Sequence, residues 1–90
     1  MEPKKDWRAE TSEFIRGERL QRKRYKAPSK NWDHDHCAAC WAKFADFEGP
    51  EILHEGYTTT EESKWGANYH WVCPQCFNDL HELMGWVEVE

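Results

Sequence analysis

Four cysteines, the only ones in the chain, stand in two pairs: Cys37-Ala38-Ala39-Cys40 and Cys73-Pro74-Gln75-Cys76. Two residues separate the partners of each pair, and thirty-two separate the pairs. A Cys-x-x-Cys turn places two sulfurs on one side of a tight loop. Two such loops facing each other make a tetrahedral thiolate cage, the geometry of structural Zn²⁺. The spacing therefore predicts one structural Zn²⁺ per chain, held by Cys37, Cys40, Cys73 and Cys76. Four thiolates close the coordination sphere and leave no position for a reactive water, so no catalytic role is expected of the metal. The same closure removes the cysteines as nucleophiles. The serines, Ser12, Ser29 and Ser63, lie in no nucleophile-elbow sequence. Two disulfides are the alternative, and they would want an exported chain.

Other residues could carry chemistry. Asp33-His34-Asp35-His36 runs directly into Cys37. In an extended segment His34 and His36 point to one side. They could form a second metal site with Asp33 or Asp35, joined by His54 or His70. The plainer reading makes them hydrogen-bonding residues that shape the approach to Cys37. Arg19, Arg22, Lys23, Arg24 and Lys26 make a basic run. It could grip a nucleic acid or another anionic partner, or be a solvated edge strand or helix lying against the acidic remainder of the chain. The aromatic residues could stack bases. Core packing is the simpler expectation for Trp41, Phe44, Phe47, Trp71 and Phe77. Surplus exposed tryptophans, such as Trp65 or Trp86, would suit a protein interface.

These residues need elements to position them, and the chain is short. Ninety residues make one small domain that buries only about 60–65% of its unfolded surface, so a metal staple matters. Charge is uneven. Residues 1–30 carry ten Lys/Arg and five Asp/Glu, a net of +5; residues 31–90 carry two Lys and twelve Asp/Glu, a net of −10. A basic helix-strand extension over residues 1–30 and a four-cysteine zinc-binding domain over residues 31–90 are expected. An acidic metal domain is a poor match for phosphate backbones. No apolar run is long enough to span a membrane, and the opening residues lead into no secretory signal. A reducing, cytoplasmic location follows as the expectation.

In order, residues 1–5 should fray. A helix capped by Asp6 is expected, with Trp7, Thr11, Phe14 and Ile15 on one face and Gly17 as its stop. Residues 18–27 read as a strand. Strands are expected over 42–47, 52–60 and 69–72, with a turn at Gly49-Pro50. The last helix is the clearest. Pro74 suits its first turn, Cys76, Phe77, Leu80, Leu83 and Met84 form an apolar stripe, and Gly85 ends it. Residues 86–89 alternate like a terminal strand.

A Cys-x-x-Cys turn, a hairpin, and a second Cys-x-x-Cys running into a helix resembles the treble-clef zinc finger over residues 37–84. The zinc ribbon is the close relative, with no helix after Cys76. The resemblance implies an α+β, zinc-stabilised domain with a short β-hairpin or sheet and a C-terminal helix. The longer pattern around Trp32–Cys37, Gly56–Thr59 and His70–Phe77 resembles a group of small uncharacterised bacterial proteins, which implies zinc binding and no particular activity. Rubredoxin also carries two Cys-x-x-Cys turns, but usually with glycine after the second cysteine, where this chain has Trp41 and Phe77. Asp33–His36 resembles the Asp-His-Asp-His stretch of some HNH nucleases, implying a metal-dependent cut of phosphodiesters. The order departs from that family, because no cysteine precedes Asp33 and only Asn78 and His81 offer the remaining residues. The leading expectation is a non-enzymatic module that binds another protein. Nucleic-acid binding through the 19–26 segment comes next, and the nuclease last.

Overall fold

The computed structural model describes residues 6–89; the fraying expected of residues 1–5 lies outside them. Asp6 caps the first helix, α1 (Trp7–Thr11), its carboxylate accepting from the Arg8 N–H at 3.0 Å. The helix expected to continue to Ile15 breaks at Ser12. The buried Ser12 Oγ donates to the Arg8 carbonyl at 2.7 Å, a local bond that competes with the next helical turn. A 3₁₀ turn over Glu13–Ile15 follows, and Gly17 stops it with a φ of 78°. The tighter 3₁₀ winding rotates the side chains. Ile15 is consequently buried, while Trp7 and Phe14 of the expected apolar face are exposed.

The remaining elements are β1 (Arg19–Arg24), β2 (His34–His36), β3 (Lys43–Ala45), β4 (Glu55–Thr59), β5 (Trp71–Val72), α2 (Pro74–Met84) and β6 (Val87–Val89). Four strands form one sheet in the order β5-β4-β1-β6, and β2 pairs with β3 in a second, two-stranded sheet. Strand β1 runs antiparallel to β4, with Leu20 opposite Thr59, and parallel to β6, with Leu20 opposite Glu88. The start of the basic segment is therefore interior: β4 and β6 flank Leu20 and Gln21 on both sides, while Arg22, Lys23 and Arg24 pair with β4 and have no β6 residue opposite them. The charge boundary near residue 30 does not coincide with a break in the sheet. The result is a mixed helix-and-sheet fold in which sheet dominates, with β6 following the last helix.

Helix α2 packs against the sheet through Tyr57 and Phe77, whose rings stack with centroids 3.8 Å apart. Ile15, Leu20, Leu80, Met84 and Trp86 fill the core beside them. Burying each large apolar side chain stabilises the fold by about 1.5–3 kcal/mol. Helix α2 ends where expected. Gly85 is left-handed at φ 71°, and the Trp86 N–H reaches back to the His81 carbonyl at 3.0 Å, which satisfies an orphan helical acceptor. Tyr25, Phe44 and Trp71 pack ring on ring, with centroids 5.0–6.0 Å apart, and join the large sheet to the β2–β3 hairpin. Gly56 in β4 allows this approach. A Cβ there would lie 2.7 Å from both the Val72 carbonyl and Phe44 Cε1.

Three expectations for apolar side chains are corrected. Trp41 and Phe47 are exposed (64% and 43%) instead of buried, because each lies where the chain turns outward beside the β2–β3 hairpin. Trp86 is buried at 2%, its indole N–H satisfied by the Ile15 carbonyl at 3.0 Å, and Trp65 is half-buried. Leu83 lies off the buried stripe of α2, which is made by Cys76, Phe77, Leu80 and Met84. Among the described residues, no helix is long and apolar enough to cross a membrane.

Candidate metal centre

The first cysteine pair sits at the tip of the β2–β3 hairpin. The Cys37 N–H donates to the Ala42 carbonyl at 2.7 Å, and the Trp41 N–H donates to the Cys37 carbonyl at 3.0 Å. This closure turns the N–H groups of Ala39 and Cys40 onto Cys37 Sγ, at 3.4 and 3.5 Å. The residue that completes the turn, Trp41, has a φ of 70°. An L-residue in that region costs about 1–2 kcal/mol.

The second pair opens α2. Cys73 is the N-cap, its sulfur accepting from the Cys76 N–H at 3.4 Å, and Pro74 occupies the first turn. A helix N-terminus favours negative charge, so both thiolates of this pair sit at the favourable end of the dipole. Strand β5 delivers Cys73 to the first pair. The Ala38 N–H donates to the Trp71 carbonyl at 2.8 Å, and the Cys73 N–H donates to Cys37 Sγ at 3.3 Å.

All four Sγ atoms lie within 4.8 Å of one another, and no disulfide joins them. Cys40 Sγ and Cys73 Sγ are 3.7 Å apart. A tetrahedral centre with 2.3 Å metal–sulfur bonds has edges of about 3.8 Å, whereas a disulfide brings sulfurs to about 2.05 Å. The four cysteines are thus placed to hold one metal ion, and their donor set is the soft, all-sulfur type. The electrostatics agree. Cys37 is drawn down to about 2, first by hydrogen bonds from the Cys73 and Cys76 thiols and then, against burial, by backbone N–H groups. Cys73 is pushed up to about 12 and Cys76 is also pushed up, each chiefly by the Cys37 sulfur beside it. An ion entering such a cluster displaces protons.

Arg8 was not legible as part of the site. Its guanidinium lies 3.7 Å from Cys76 Sγ, 3.0 Å from Asp79 and 2.7 Å from Asp6. Asp6 is held below the usual carboxylate range by Arg8; Asp79 is lowered first by the Gln75 amide and then by Arg8. Thr11 Oγ1 donates to the Ala39 carbonyl at 2.5 Å, so α1 touches both cysteine turns. A separation of 68 residues between Arg8 and Cys76 hides this contact from any local pattern.

The other singled-out residues are spread out. Asp35 accepts from the Tyr25 hydroxyl at 2.9 Å and from the Trp32 indole at 3.0 Å. His34 Nδ1 meets Asp33 at 2.7 Å, and the His34 and His36 rings lie 5.1 Å apart. His54 bonds the Ala45 carbonyl, and His81 bonds the Phe77 carbonyl within its own helix. His70 sits among Phe14, Trp65 and Tyr69, its Nε2 buried without a partner. Among the described residues the cysteines are the one group of three or more ligating side chains gathered within 4.8 Å. The basic run is divided by the strand. Arg19 and Lys23 point to one face, near Glu62 and Asn68; Arg22 points to the other, bonded to Glu55 at 2.6 Å. Arg24 and Lys26 are exposed. Searches for similar proteins find no matching family model, no matching curated protein and no matching solved structure.

Proposed function

We propose that the four cysteines hold one Zn²⁺ as a structural cross-link, and that the domain it stabilises is a non-enzymatic module that binds another protein in the reducing cytoplasm. One observation carries the metal reading: four unpaired sulfurs within 4.8 Å of one another, three of them buried, on two separate turns. Zn²⁺ suits a closed, all-thiolate set. A hairpin-tip turn, a β4–β5 hairpin and a helix beginning at the second pair favour the treble-clef arrangement over the ribbon. The protein-partner reading is supported by the large apolar side chains left in water, among them Trp7, Trp32, Trp41 and Phe47. Tryptophan is a common anchor of protein interfaces.

The competing readings are weaker for specific reasons. The basic residues face two sides of the sheet and partly pair with acidic neighbours, which does not make one phosphate-binding stripe. For nuclease chemistry, the described residues gather no ligating cluster around His34 and His36, and His81 is bonded within its own helix. Elemental analysis of protein purified without added metal, run alongside native mass spectrometry, tests the proposal. One zinc per chain is expected. Iron, two metals per chain, or two disulfides without metal would each sink it.

A further inference from the structure

The four sulfurs of the cluster are not equally sheltered. Cys37, Cys73 and Cys76 are 0%, 4% and 1% exposed, whereas Cys40 is half-buried. Their hydrogen bonds divide in the same way. Cys37 Sγ accepts from the Ala39, Cys40 and Cys73 N–H groups. Cys73 Sγ accepts from the Cys76 N–H at 3.4 Å, and Cys76 Sγ accepts from the Arg8 guanidinium at 3.7 Å. Among the described residues no N–H donates to Cys40 Sγ, whose polar contact is Cys73 Sγ at 3.7 Å.

Donors that stabilise negative charge on a sulfur also lower its nucleophilicity. Oxidants select sulfurs by thiolate character and access. A closed thiolate set excludes a reactive water from the metal, yet ligation leaves each sulfur further lone pairs. Access and the lack of donors then single out the same atom, Cys40 Sγ. A sulfenic acid formed there condenses with a neighbouring thiol. Cys73, on the other turn, is that neighbour.

We propose that Cys40 is an oxidation site, which reacts with peroxides and is resolved by Cys73 into a disulfide joining the two turns. Cys40 Sγ attacks one peroxide oxygen. The S–O bond forms, the O–O bond breaks, and the departing hydroxide or alkoxide takes a proton from water. Cys73 Sγ then attacks the Cys40 sulfur. The S–S bond forms, the S–O bond breaks, and the hydroxide that leaves is protonated. The pair of sulfurs is oxidised by two electrons, and the peroxide is reduced by them. Cys37 and Cys76 alone do not make a closed tetrahedral set, so the ion is lost with the oxidation. A dithiol reductant reverses the change. The proposal rests on the zinc reading only for the ion that leaves.

The test uses the full, reduced chain, its zinc content first measured by elemental analysis. Equimolar hydrogen peroxide is added beside a chromophoric zinc indicator. Sulfenic acid is trapped with dimedone, free thiols are alkylated, and peptides are mapped against time by mass spectrometry. The expected first products are a dimedone adduct on Cys40 and a Cys40–Cys73 disulfide. Zinc release keeps step with the disulfide, and dithiothreitol with added zinc restores the starting state. Cys40→His keeps a zinc ligand and loses both the disulfide and the release at this dose, while Cys76→His keeps both. Should either variant fail to fold, the parent's peptide map decides alone. First reaction at Cys37, Cys73 or Cys76, equal reaction at every cysteine, a Cys37–Cys40 disulfide, or unreacted thiols with zinc retained would each overturn the proposal and leave the zinc reading standing. A Cys40–Cys73 disulfide formed by a chain that holds no zinc keeps the oxidation site and overturns the zinc reading.

Discussion

The first cysteine turn closes a hairpin, and the second opens a helix. In the first, hydrogen bonds converge on one atom: Cys37 Sγ accepts from Ala39, Cys40 and Cys73 N–H groups. In the second, the sulfurs lean on a helix terminus and on Arg8 from the far end of the chain. The first turn carries a left-handed tryptophan, while the second ends in regular helix with Pro74 already in place. Identical spacing therefore serves two mechanical tasks. One turn gathers N–H groups from its own loop and from the second pair onto a single sulfur, and presents a side chain to solvent. The other is a junction where α1, β5 and α2 meet.

The sharpest way to break this comparison is to remove one sulfur from each turn. Cys37→Ser takes the shared acceptor as well as a ligand, and it should abolish metal retention and folding together. The apparent zinc-binding energy of small finger domains is about 10–16 kcal/mol, most of it tied to folding. Cys76→Ser should leave more residual structure by circular dichroism. Equal loss in both variants would erase the distinction. Next in size is Gly56→Ala. Its Cβ pushes on the Val72 carbonyl, one residue before Cys73, so it should cost about 1–3 kcal/mol in denaturant melts and loosen the second turn selectively.

Arg8→Ala addresses the junction without touching a ligand. Groups that orient metal ligands are worth about ten- to a hundredfold in affinity. Competition with a chromophoric chelator should show that loss, while amides of the first turn keep their chemical shifts. Trp41→Gly should act in the opposite direction. Relief of the left-handed strain, about 1–2 kcal/mol, is offset by about 0.5–1 kcal/mol from glycine's added freedom in the unfolded chain. The net change should be near zero or slightly stabilising, read by melting. A large destabilisation would show that the indole packs the turn.

The smallest effect concerns the approach to the second turn. Burial holds the His70 imidazole below its ordinary range, against the pull of Asp35 and Glu18. The unfolded chain then binds this proton more readily, with a pKa of about 6.5. Stability present above that value is lost as pH falls through the lower folded value. His70→Phe should flatten this slope, measured as melting temperature against pH.

Legibility followed locality. Helix α2 could be read to within a residue, because Pro74, the 3.6-residue stripe and Gly85 are neighbours in sequence. The cysteine cluster was legible because its spacing carries its chemistry. Leu83 was misplaced, since the width of the buried stripe depends on what packs against it. Hydrophobicity alone places Trp41 in the core, whereas the backbone conformation that turns it outward is set by the hairpin closure around Cys37. The place of the basic strand in the sheet has no local signal, because its partners, near Thr59 and Glu88, are remote in sequence. Arg8 had no local signal at all.

The position of β1 also bears on how the chain comes off the ribosome. Both of its ladder partners are synthesised later, β4 some thirty residues on and β6 only with residues 87–89. Until β4 follows, the chain's most cationic stretch has no ladder partner and lies near polyanionic ribosomal RNA. Closure of the sheet must wait until residues 87–89 have cleared the exit tunnel.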